Sequence, residues 1–327
     1  MRQRYRRWLR LLPLALLALL VAPGTWWRDQ PLPLGEQAVL SVTSLELDQP
    51  RHWPAGLTLA GAWHIASRHE GFGGYSALLV LPGDRLLAFS DRRDFLEFPV
   101  PDTAAGPVRI GPVPQDPAGR YKQSDYESAT RDPLTGRRWL GVEGANAIRR
   151  LDAQGRPDGF VSPPLMQRWP SNQGPEAMAR LPDGRFVVLA EGSPGSKPRN
   201  SEGVLFAGDP VDGAPATRFR FPRQGRYRPT DMAALPDGRV LILQRQITPG
   251  LPPLGALLAI ADPATIRPGR PWHWQVLAPL SPPMPRENYE GLAVTPAPGG
   301  GHHLWLISDD NQSSLQRTLL IKLHWNG

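Results

Sequence analysis

The segment that decides the fold runs Glu176-Ala-Met-Ala-Arg-Leu-Pro-Asp-Gly184 and continues after Arg185 as Phe186-Val-Val-Leu-Ala-Glu191. Two short apolar runs flank a turn in which proline presets φ, aspartate bonds its own backbone and glycine adopts a positive φ. Short runs of Val, Leu and Ala bounded by such a turn are typical of buried β-strands. The segment is therefore predicted to be a β-hairpin with an acidic residue at each end.

The same hairpin recurs along the chain. It starts at Tyr75, Glu127, Glu176, Asp231 and Glu290, so the steps are 52, 49, 55 and 59 residues. A period of about 50 residues in an all-β chain is typical of propeller blades, which have about four strands each. The sequence thus predicts an all-β fold, a β-propeller of five or six blades, with the hairpin as the inner strand pair of each blade. A β-sandwich with coincidental turns is the alternative.

Composition agrees with many short strands. The 39 prolines and 33 glycines are scattered between apolar runs, which argues against long helices and against a disordered chain. The absence of cysteine excludes disulfides, thiolate metal sites and a cysteine nucleophile. We expect residues 39–66 and the strand Thr318–Trp325 to close the ring or form a sixth blade, because joined ends leave no open sheet edge.

The N-terminus resembles an export signal. A basic stretch, residues 1–10, precedes the apolar run Leu11–Ala22, and this run is short for a membrane span of about 20 residues. Residues 1–27 are therefore interpreted as a signal peptide or signal anchor, residues 28–54 as a linker with a closing strand, and residues 55–327 as the propeller domain. We expect an exported protein, periplasmic or secreted, that contacts the inner membrane only if residues 1–27 are retained.

Charge gives no reason to expect nucleic acid as a partner. The net charge of +7 includes five arginines in the first ten residues, and without them 32 basic residues face 30 acidic ones. A nearly neutral body lacks the basic surface that nucleic acids require.

The repeat itself predicts a site. The first and last residues of an antiparallel hairpin are neighbours, and the hairpins of a propeller run the same way around one axis. Their ends should meet on one rim, with the turns on the other. The expected facing pairs are Tyr75 with Asp91, Glu127 with Glu143, Glu176 with Glu191, Asp231 with Arg245, and Glu290 with Asp309.

Carboxylates that converge in this way repel each other and resist burial. Ca²⁺ can bind them, arginines can pair with them, or some can stay protonated. The predicted metal ligands are Glu127, Glu176, Asp231, Glu290, Asp309 and Asp310. A purely structural acid–arginine network is the alternative.

Several motifs together resemble one family, the phytase-like domain or "esterase-like activity of phytase" family. They are Asp125-Tyr-Glu-Ser-Ala129, Glu143-Gly-Ala-Asn146-Ala-Ile148, Asn172-Gln-Gly-Pro-Glu-Ala177, Arg228-Pro-Thr-Asp231, Leu243-Gln-Arg245, Asn288-Tyr-Glu-Gly-Leu292 and Ile307-Ser-Asp-Asp-Asn311. The resemblance covers residues 55–325 and implies a propeller, export and hydrolase activity. A more distant similarity to β-propeller phytases implies calcium ions that hold phosphate esters, although their catalytic residues do not match one by one.

The sequence therefore predicts a hydrolase of phosphate or carboxylic esters that uses a divalent cation, with Ca²⁺ expected and no organic cofactor. The alternative is a non-catalytic propeller that binds a ligand or protein. The predicted catalytic residues are Glu127, Glu176, Asp231, Arg245 and Glu290. The predicted substrate-binding residues are Asp91, Arg92, Glu143, Asn146, Glu191, Asn311 and Arg317.

Two other constellations are weaker. The chain has no Gly-x-Ser-x-Gly elbow for a serine nucleophile, and Gly192-Ser-Pro-Gly-Ser196 is interpreted as a rim turn. His302-His303 precedes an apolar strand, where adjacent side chains point to opposite faces. We interpret it as part of a surface turn on the far rim.

Overall fold

The computed structural model describes residues 12–13, 15–16, 38–50, 53–54, 56–101, 106–115, 125–192, 200–249, 253–313 and 315–327. Most of residues 1–27 lie outside this part of the chain, so the signal or anchor remains a prediction. No helix within the described ranges has both the length and the apolar composition needed to span a membrane.

The described chain forms five sheets with 21 strands. The first blade contains β3 (Tyr75–Leu81), β4 (Arg85–Ser90), β5 (Asp94–Pro99) and β6 (Arg109–Pro112). The second contains β7 (Tyr126–Arg131), β8 (Arg138–Val142), β9 (Ala147–Leu151) and β10 (Pro157–Val161). The third contains β11 (Pro175–Arg180), β12 (Phe186–Ala190), β13 (Asn200–Phe206) and β14 (Ala216–Pro222). The fourth contains β15 (Arg228–Ala234), β16 (Val240–Ile247), β17 (Leu254–Ala261) and β18 (Trp274–Leu280).

The fifth blade joins the two ends of the propeller. It contains β19 (Asn288–Pro296), β20 (His302–Asp309) and β21 (Leu319–Trp325), and it is completed by β2 (Leu57–Ala66) and β1 (Ser41–Ser44). The strand β2 pairs with β21 in antiparallel register from Leu57 opposite Trp325 to His64 opposite Leu319. The early and late strands thus complete a shared fifth blade, so the propeller has five blades and not six.

Each blade follows the predicted hairpin pattern. The inner strands β3, β7, β11, β15 and β19 contact their neighbours in turn, and β19 contacts β3, which closes the ring. Short 3-10 turns at Pro210–Asp212 and Pro263–Thr265 connect outer strands. In the turn after β15, the side chain of Asp237 accepts the N–H of Arg239 at 2.9 Å, and Gly238 has a φ of 90°. The turn residues therefore act as their types predict.

The hydrophobic core lies between neighbouring blades. One cluster, for example, contains Leu189 of the third blade, Ile242 of the fourth and Trp272, and all three are buried. Burial of a Leu, Ile or Phe side chain stabilises a fold by about 1.5–3 kcal/mol. Since every blade face packs on the next blade, the stacking of successive blades holds the ring together.

Every inner strand has a β-bulge near its start, and because of these bulges the predicted facing pairs are wrong. In β11, Pro175 pairs with Ala190 and Ala177 pairs with Leu189, so that Glu176 is the extra, unpaired residue. The same irregularity occurs in β3, β7, β15 and β19. A bulge places two residues opposite one. None of the five predicted pairs is therefore in direct register, and Asp309, for example, faces Asn288 instead of Glu290.

The bulges also show that two of the five repeats were aligned at the wrong residue in the sequence analysis. The bulged residues are Ser76, Glu127, Glu176, Thr230 and Glu290. Each lies six positions before a proline of the far turn, and these prolines are Pro82, Pro133, Pro182, Pro236 and Pro296. Tyr75 and Asp231, which we aligned with the glutamates, are therefore one position out of step. Their equivalents are Ser76 and Thr230.

Candidate functional site

Two concentric sets of side chains define the candidate site, which we call the acidic rim. The inner ring consists of the five bulged residues Ser76, Glu127, Glu176, Thr230 and Glu290. The outer ring lies at or near the end of the second strand of each blade and consists of Asp91, Glu143, Glu191, Arg245 and Asp309. Seven of these ten side chains are carboxyls and one is an arginine.

The three glutamates of the inner ring lie close enough to repel one another. Burial raises the pKa of Glu176 well above its ordinary value, and the charges of Glu127, Glu191, Glu143 and Glu290 raise it further. Burial likewise raises the pKa of Glu127, with Glu290 as the largest charge against it. Since these glutamates come from the second, third and fifth blades, residues far apart in the chain do meet at one end of the axis.

One hydrogen bond joins two carboxyl groups of different blades. The side chain of Glu143 hydrogen-bonds the side chain of Glu176, and it also accepts the backbone N–H of Gly174. Two carboxylates cannot hydrogen-bond without a proton between them. Burial raises the pKa of both carboxyls, and it raises that of Glu176 well above its ordinary value, which favours Glu176 as the carboxyl that holds the proton.

Arg245 supplies positive charge within the outer ring. Its Nε lies 2.9 Å from Oε1 of Glu290, and its Nη2 lies 3.7 Å from Oε1 of Glu191. The nearby carboxylates raise the pKa of Arg245 despite its burial. Arg228 adds a hydrogen bond of 2.7 Å to Glu191. The side chain of Glu191 is thereby shared between two arginines.

Asp231 lies outside both rings. Its carboxylate accepts the backbone N–H of Leu292 at 2.7 Å and that of Met232 at 2.8 Å. The backbone N–H of Leu78 is a third donor. Burial raises the pKa of Asp231 by more than these hydrogen bonds lower it. Asp231 thus ties the fourth blade to the fifth and the first across the channel, instead of facing Arg245 as expected. The neighbouring position in the bulge, Thr230, belongs to the inner ring.

The paired aspartates of the fifth blade have separate surroundings. Asp309 accepts the N–H of Asn311 at 2.7 Å and the side-chain amide of Asn288 at 3.2 Å. Burial and the charge of Glu290 raise the pKa of Asp309 to about 8. Asp310 accepts backbone N–H groups of Gly74 and Gln312, and the hydroxyl of Thr318. The oxygens of Asp310 therefore hold Gly74, the residue before β3 of the first blade, to the fifth blade.

The predicted substrate-binding residues divide into two groups. Asp91, Glu143 and Glu191 lie in the outer ring, and Asn146 is buried beside it with its amide donating to the carbonyl of Trp169 at 2.7 Å. The other three bond their surroundings: Arg92 bonds the carbonyl of Phe72, Arg317 bonds Glu287, and Asn311 bonds Gln316.

Sequence reasoning missed four polar residues of the rim. Ser76 hydrogen-bonds Glu127, and Thr230 bonds the carbonyl of Tyr289 at 3.3 Å. Asn288 donates to Glu290 at 2.8 Å, and Arg228 pairs with Glu191. The spacing of six residues to the turn proline identifies Ser76 and Thr230.

The carboxyls do not match a metal centre. Within the described ranges, no three or more Asp, Glu or His side chains are arranged to hold a metal ion. Oxygens of Asp231 and Asp310 are engaged by backbone N–H groups, and Arg245 lies beside Glu290. The prediction of Ca²⁺ remains to be tested by experiment.

The solved structures that are similar in fold have low sequence identity to this chain. The PQQ-bound aldose sugar dehydrogenase of Streptomyces coelicolor is 14% identical, with a TM-score of 0.46 over 89% of this chain and 99% of that chain. The glutaminyl cyclase of Myxococcus xanthus is 12% identical, with a TM-score of 0.46 over the same shares of the two chains. At these values neither protein informs the chemistry of this chain.

Sequence comparison does identify the family. No curated protein matches the chain. A family model described as "Phytase-like: Esterase-like activity of phytase" matches residues 70–312, which run from just before β3 to the end of the Asp309-Asp310-Asn311 segment. The match includes all five bulged inner strands and both rings of the acidic rim, and it spans more than half of the chain. The chain therefore belongs to the phytase-like family.

Proposed function

We propose that the acidic rim hydrolyses esters, phosphate or carboxylic, by proton transfer between carboxyl groups of neighbouring blades. The hydrogen bond between Glu143 and Glu176 carries the proposal. It pairs a carboxyl that retains its proton with a carboxylate that can accept one. Such a pair supplies a general acid and a general base at the same time.

The reaction follows from the two protonation states. Glu143 takes a proton from a water molecule while the water oxygen attacks the carbonyl carbon or phosphorus of the ester. Glu176 gives its proton to the leaving alcohol oxygen as the ester bond breaks. The proton on Glu143 then returns to Glu176 along their hydrogen bond. The pair is thereby restored without an external acid or base.

Arg245 and the inner ring support this step. The guanidinium of Arg245 is the cation next to Glu290 and Glu191, and it is placed to stabilise the negative charge that develops on the ester oxygen. Glu127 and Glu290 add negative charge beside Glu176, which keeps the pKa of Glu176 high. In this account they tune the acid instead of binding a metal.

The test uses p-nitrophenyl acetate and p-nitrophenyl phosphate as generic substrates. Glu176→Gln and Glu143→Gln should each lower kcat by about 100-fold or more, the usual contribution of a general acid or base. Glu97→Gln is the control, because Glu97 pairs with Arg85 at 2.7 Å between the second and third strands of the first blade. Full activity in Glu176→Gln would contradict the proposal.

A divalent cation is the alternative way to balance the rim. Activity and Tm should be measured with excess CaCl₂ and with EDTA. The proton-transfer mechanism predicts the same turnover in both, whereas the calcium prediction requires that EDTA abolish turnover. Ca²⁺ would then lie among the inner-ring glutamates.

A non-catalytic binding propeller is the second candidate. It is favoured by the ion pairs that arginines in and around the rim already make: Arg228 with Glu191, Arg245 with Glu290, and Arg317 with Glu287. No turnover of either ester by the wild-type protein would support this candidate.

We also propose that the protein acts outside the cytoplasm, in the periplasm or medium, or at the inner membrane if residues 1–27 are retained. The basic and apolar stretches at the N-terminus support this location. Cell fractionation tests this location. The protein is expressed with residues 1–27 in place, and an antibody to the full chain detects it in each fraction.

A further inference from the structure

The end of the channel opposite the acidic rim forms a second cavity, which we call the distal pocket. It has a volume of about 800 Å³ and is lined by the ends of all five inner strands. Its mouth carries the five turn prolines Pro82, Pro133, Pro182, Pro236 and Pro296. A cavity of this size accommodates a small organic ligand.

The distal pocket is separate from the acidic rim. Between them, the carboxylate of Asp231 crosses from the fourth blade to the backbone of Leu292 and Leu78. The inner strands are also closely packed around Gly291, because an added Cβ there would lie 3.0 Å from the backbone of Ala77. The channel is therefore narrow between the acidic rim and the distal pocket. A ligand in the distal pocket would therefore not reach the carboxyls of the rim.

The walls are mainly aliphatic. Leucine, valine, alanine and proline make up most of the lining, and Val80, Leu134 and Val294 are among the side chains that are not fully buried between the blades. These side chains offer no hydrogen bonds, so the body of a ligand that matches them is apolar.

The polar part of the lining consists of Thr130, Arg131, Asp132, Arg180, Thr295 and His302, so two of its three Arg and Asp side chains are arginines. Nη1 of Arg131 donates to the carbonyl of Val80 at 3.2 Å. Its Nε is buried and has no hydrogen-bond partner. The nearest acid in the sequence, Asp132, is shared between Arg180 at 3.6 Å and the hydroxyl of Thr135 at 2.7 Å.

A second arginine makes the positive charge of this region larger. Arg131 pairs directly across the strands with Arg138, whose Nε is also buried without a partner. Like charges in directly opposite positions destabilise a sheet. Burial lowers the pKa of both arginines, and the charge of Arg131 lowers that of Arg138 further, whereas Asp132 raises the pKa of Arg131 and Glu97 and Asp152 raise that of Arg138. An anion beside Arg131 would relieve this repulsion.

We propose that the distal pocket binds an aliphatic carboxylate, with the carboxylate on Arg131 and the hydrocarbon chain along the leucines and valines. Apolar walls select the chain, and one incompletely paired guanidinium selects the charge. Guanidinium and carboxylate form a charge-assisted pair that is stronger than a neutral hydrogen bond.

The experiment measures binding of sodium dodecanoate to the full chain by calorimetry, below the concentration at which dodecanoate forms micelles. Saturable binding is expected, with affinity falling about fourfold for each methylene removed towards octanoate. Dodecanol and dodecyltrimethylammonium have the same chain with no charge or the opposite charge. Both should bind at least about tenfold more weakly.

Variants separate the pocket from non-specific binding. Arg131→Gln should weaken dodecanoate binding at least tenfold, while Arg131→Lys should retain most of it. Arg137→Gln is the matched control from the same hairpin, because Arg137 is exposed and pairs with Asp158 at 3.2 Å. Ala234→Phe should block the pocket, and circular dichroism with Tm establishes that each variant folds. No dodecanoate binding, equal binding of the trimethylammonium compound, or unchanged binding in folded Arg131→Gln would overturn the proposal.

Discussion

The carboxylate of Asp231 accepts the backbone N–H of Leu292 at 2.7 Å, and this bond joins the fourth blade to the fifth across the channel. With the N–H groups of Met232 and Leu78 it has three backbone donors. A fully buried acid bound in this way stabilises the ring of blades, so its role differs from that of the glutamates on the rim.

Replacement of Asp231 should therefore lower stability. In Asp231→Asn the amide can accept fewer of the three N–H groups, and buried donors without partners are costly. We expect the free energy of unfolding, measured with urea, to fall by about 2–4 kcal/mol. Asp237→Asn is the control, because Asp237 pairs with Arg239 in an exposed turn and such pairs contribute little. A loss below about 1 kcal/mol in Asp231→Asn would contradict the structural role.

Stability should also depend on the titration of Asp309. Its pKa is raised from 3.8 to about 8, so the folded state holds a proton that the unfolded chain releases at lower pH. The folded state then binds more protons between these values, and stability is lost as the pH rises from about 4 to about 8.

Asp309→Asn removes this titration. The difference in stability between wild type and variant should change in favour of the variant as the pH rises, by up to about 1.4 kcal/mol per pH unit. Thermal unfolding at about pH 5 and about pH 8 measures it. Asp183→Asn serves as the control, because its bonds to Arg185 lower the pKa of Asp183. A pH-independent difference for Asp309→Asn would refute the raised pKa.

Removal of Arg245 should be most costly at high pH. Without its guanidinium, Glu290 loses a nearby positive charge, and this matters more at high pH because burial raises the pKa of Glu290. We expect Arg245→Gln to lose about 1–3 kcal/mol at about pH 8 and less at about pH 5, by thermal unfolding. Arg245→Lys should recover part of the loss. Equal losses at both pH values would show that packing, not charge, is what Arg245 contributes.

The inner strands leave no room for a side chain at Gly291. An added Cβ would lie 2.6 Å from the side chain of Ile307 and 3.0 Å from that of Leu78. Gly291→Ala should therefore destabilise the protein by about 1–3 kcal/mol through overpacking. In Gly208→Ala the new Cβ would make an ordinary contact of 3.5 Å with Ala214, which makes it the control. Equal urea midpoints for the two variants would contradict this account of the channel.

The fold was accessible from the sequence because its signals are local and repeated. Turn residues, short apolar runs and a period of about 50 residues depend only on the chain itself, and they indicated a propeller of five or six blades with strands that join its two ends. The register was less accessible. The acids were aligned with one another, whereas the prolines of the far turns mark the true equivalence, which gives Ser76 and Thr230.

The roles of individual acids depend on neighbours in other blades. Asp231 and Glu176 are both acids near the start of an inner strand. One meets backbone N–H groups of two other blades, and the other meets Glu143 and Glu127. The spacing to the turn proline places Asp231 one position after the bulge, but it does not indicate which groups of the other blades Asp231 meets. The convergence of carboxyls could therefore be predicted, but the choice between ion pair, backbone bond and shared proton required coordinates.

The protonated carboxyl at Glu176 is the state on which the proposed chemistry depends, and infrared difference spectroscopy at neutral pH detects it directly. Wild-type protein minus Glu176→Gln should show the C=O stretching band of a buried carboxylic acid. A wild-type protein whose rim carboxyls are all ionised at pH 7, with no such band, would contradict the shared proton and the mechanism built on it.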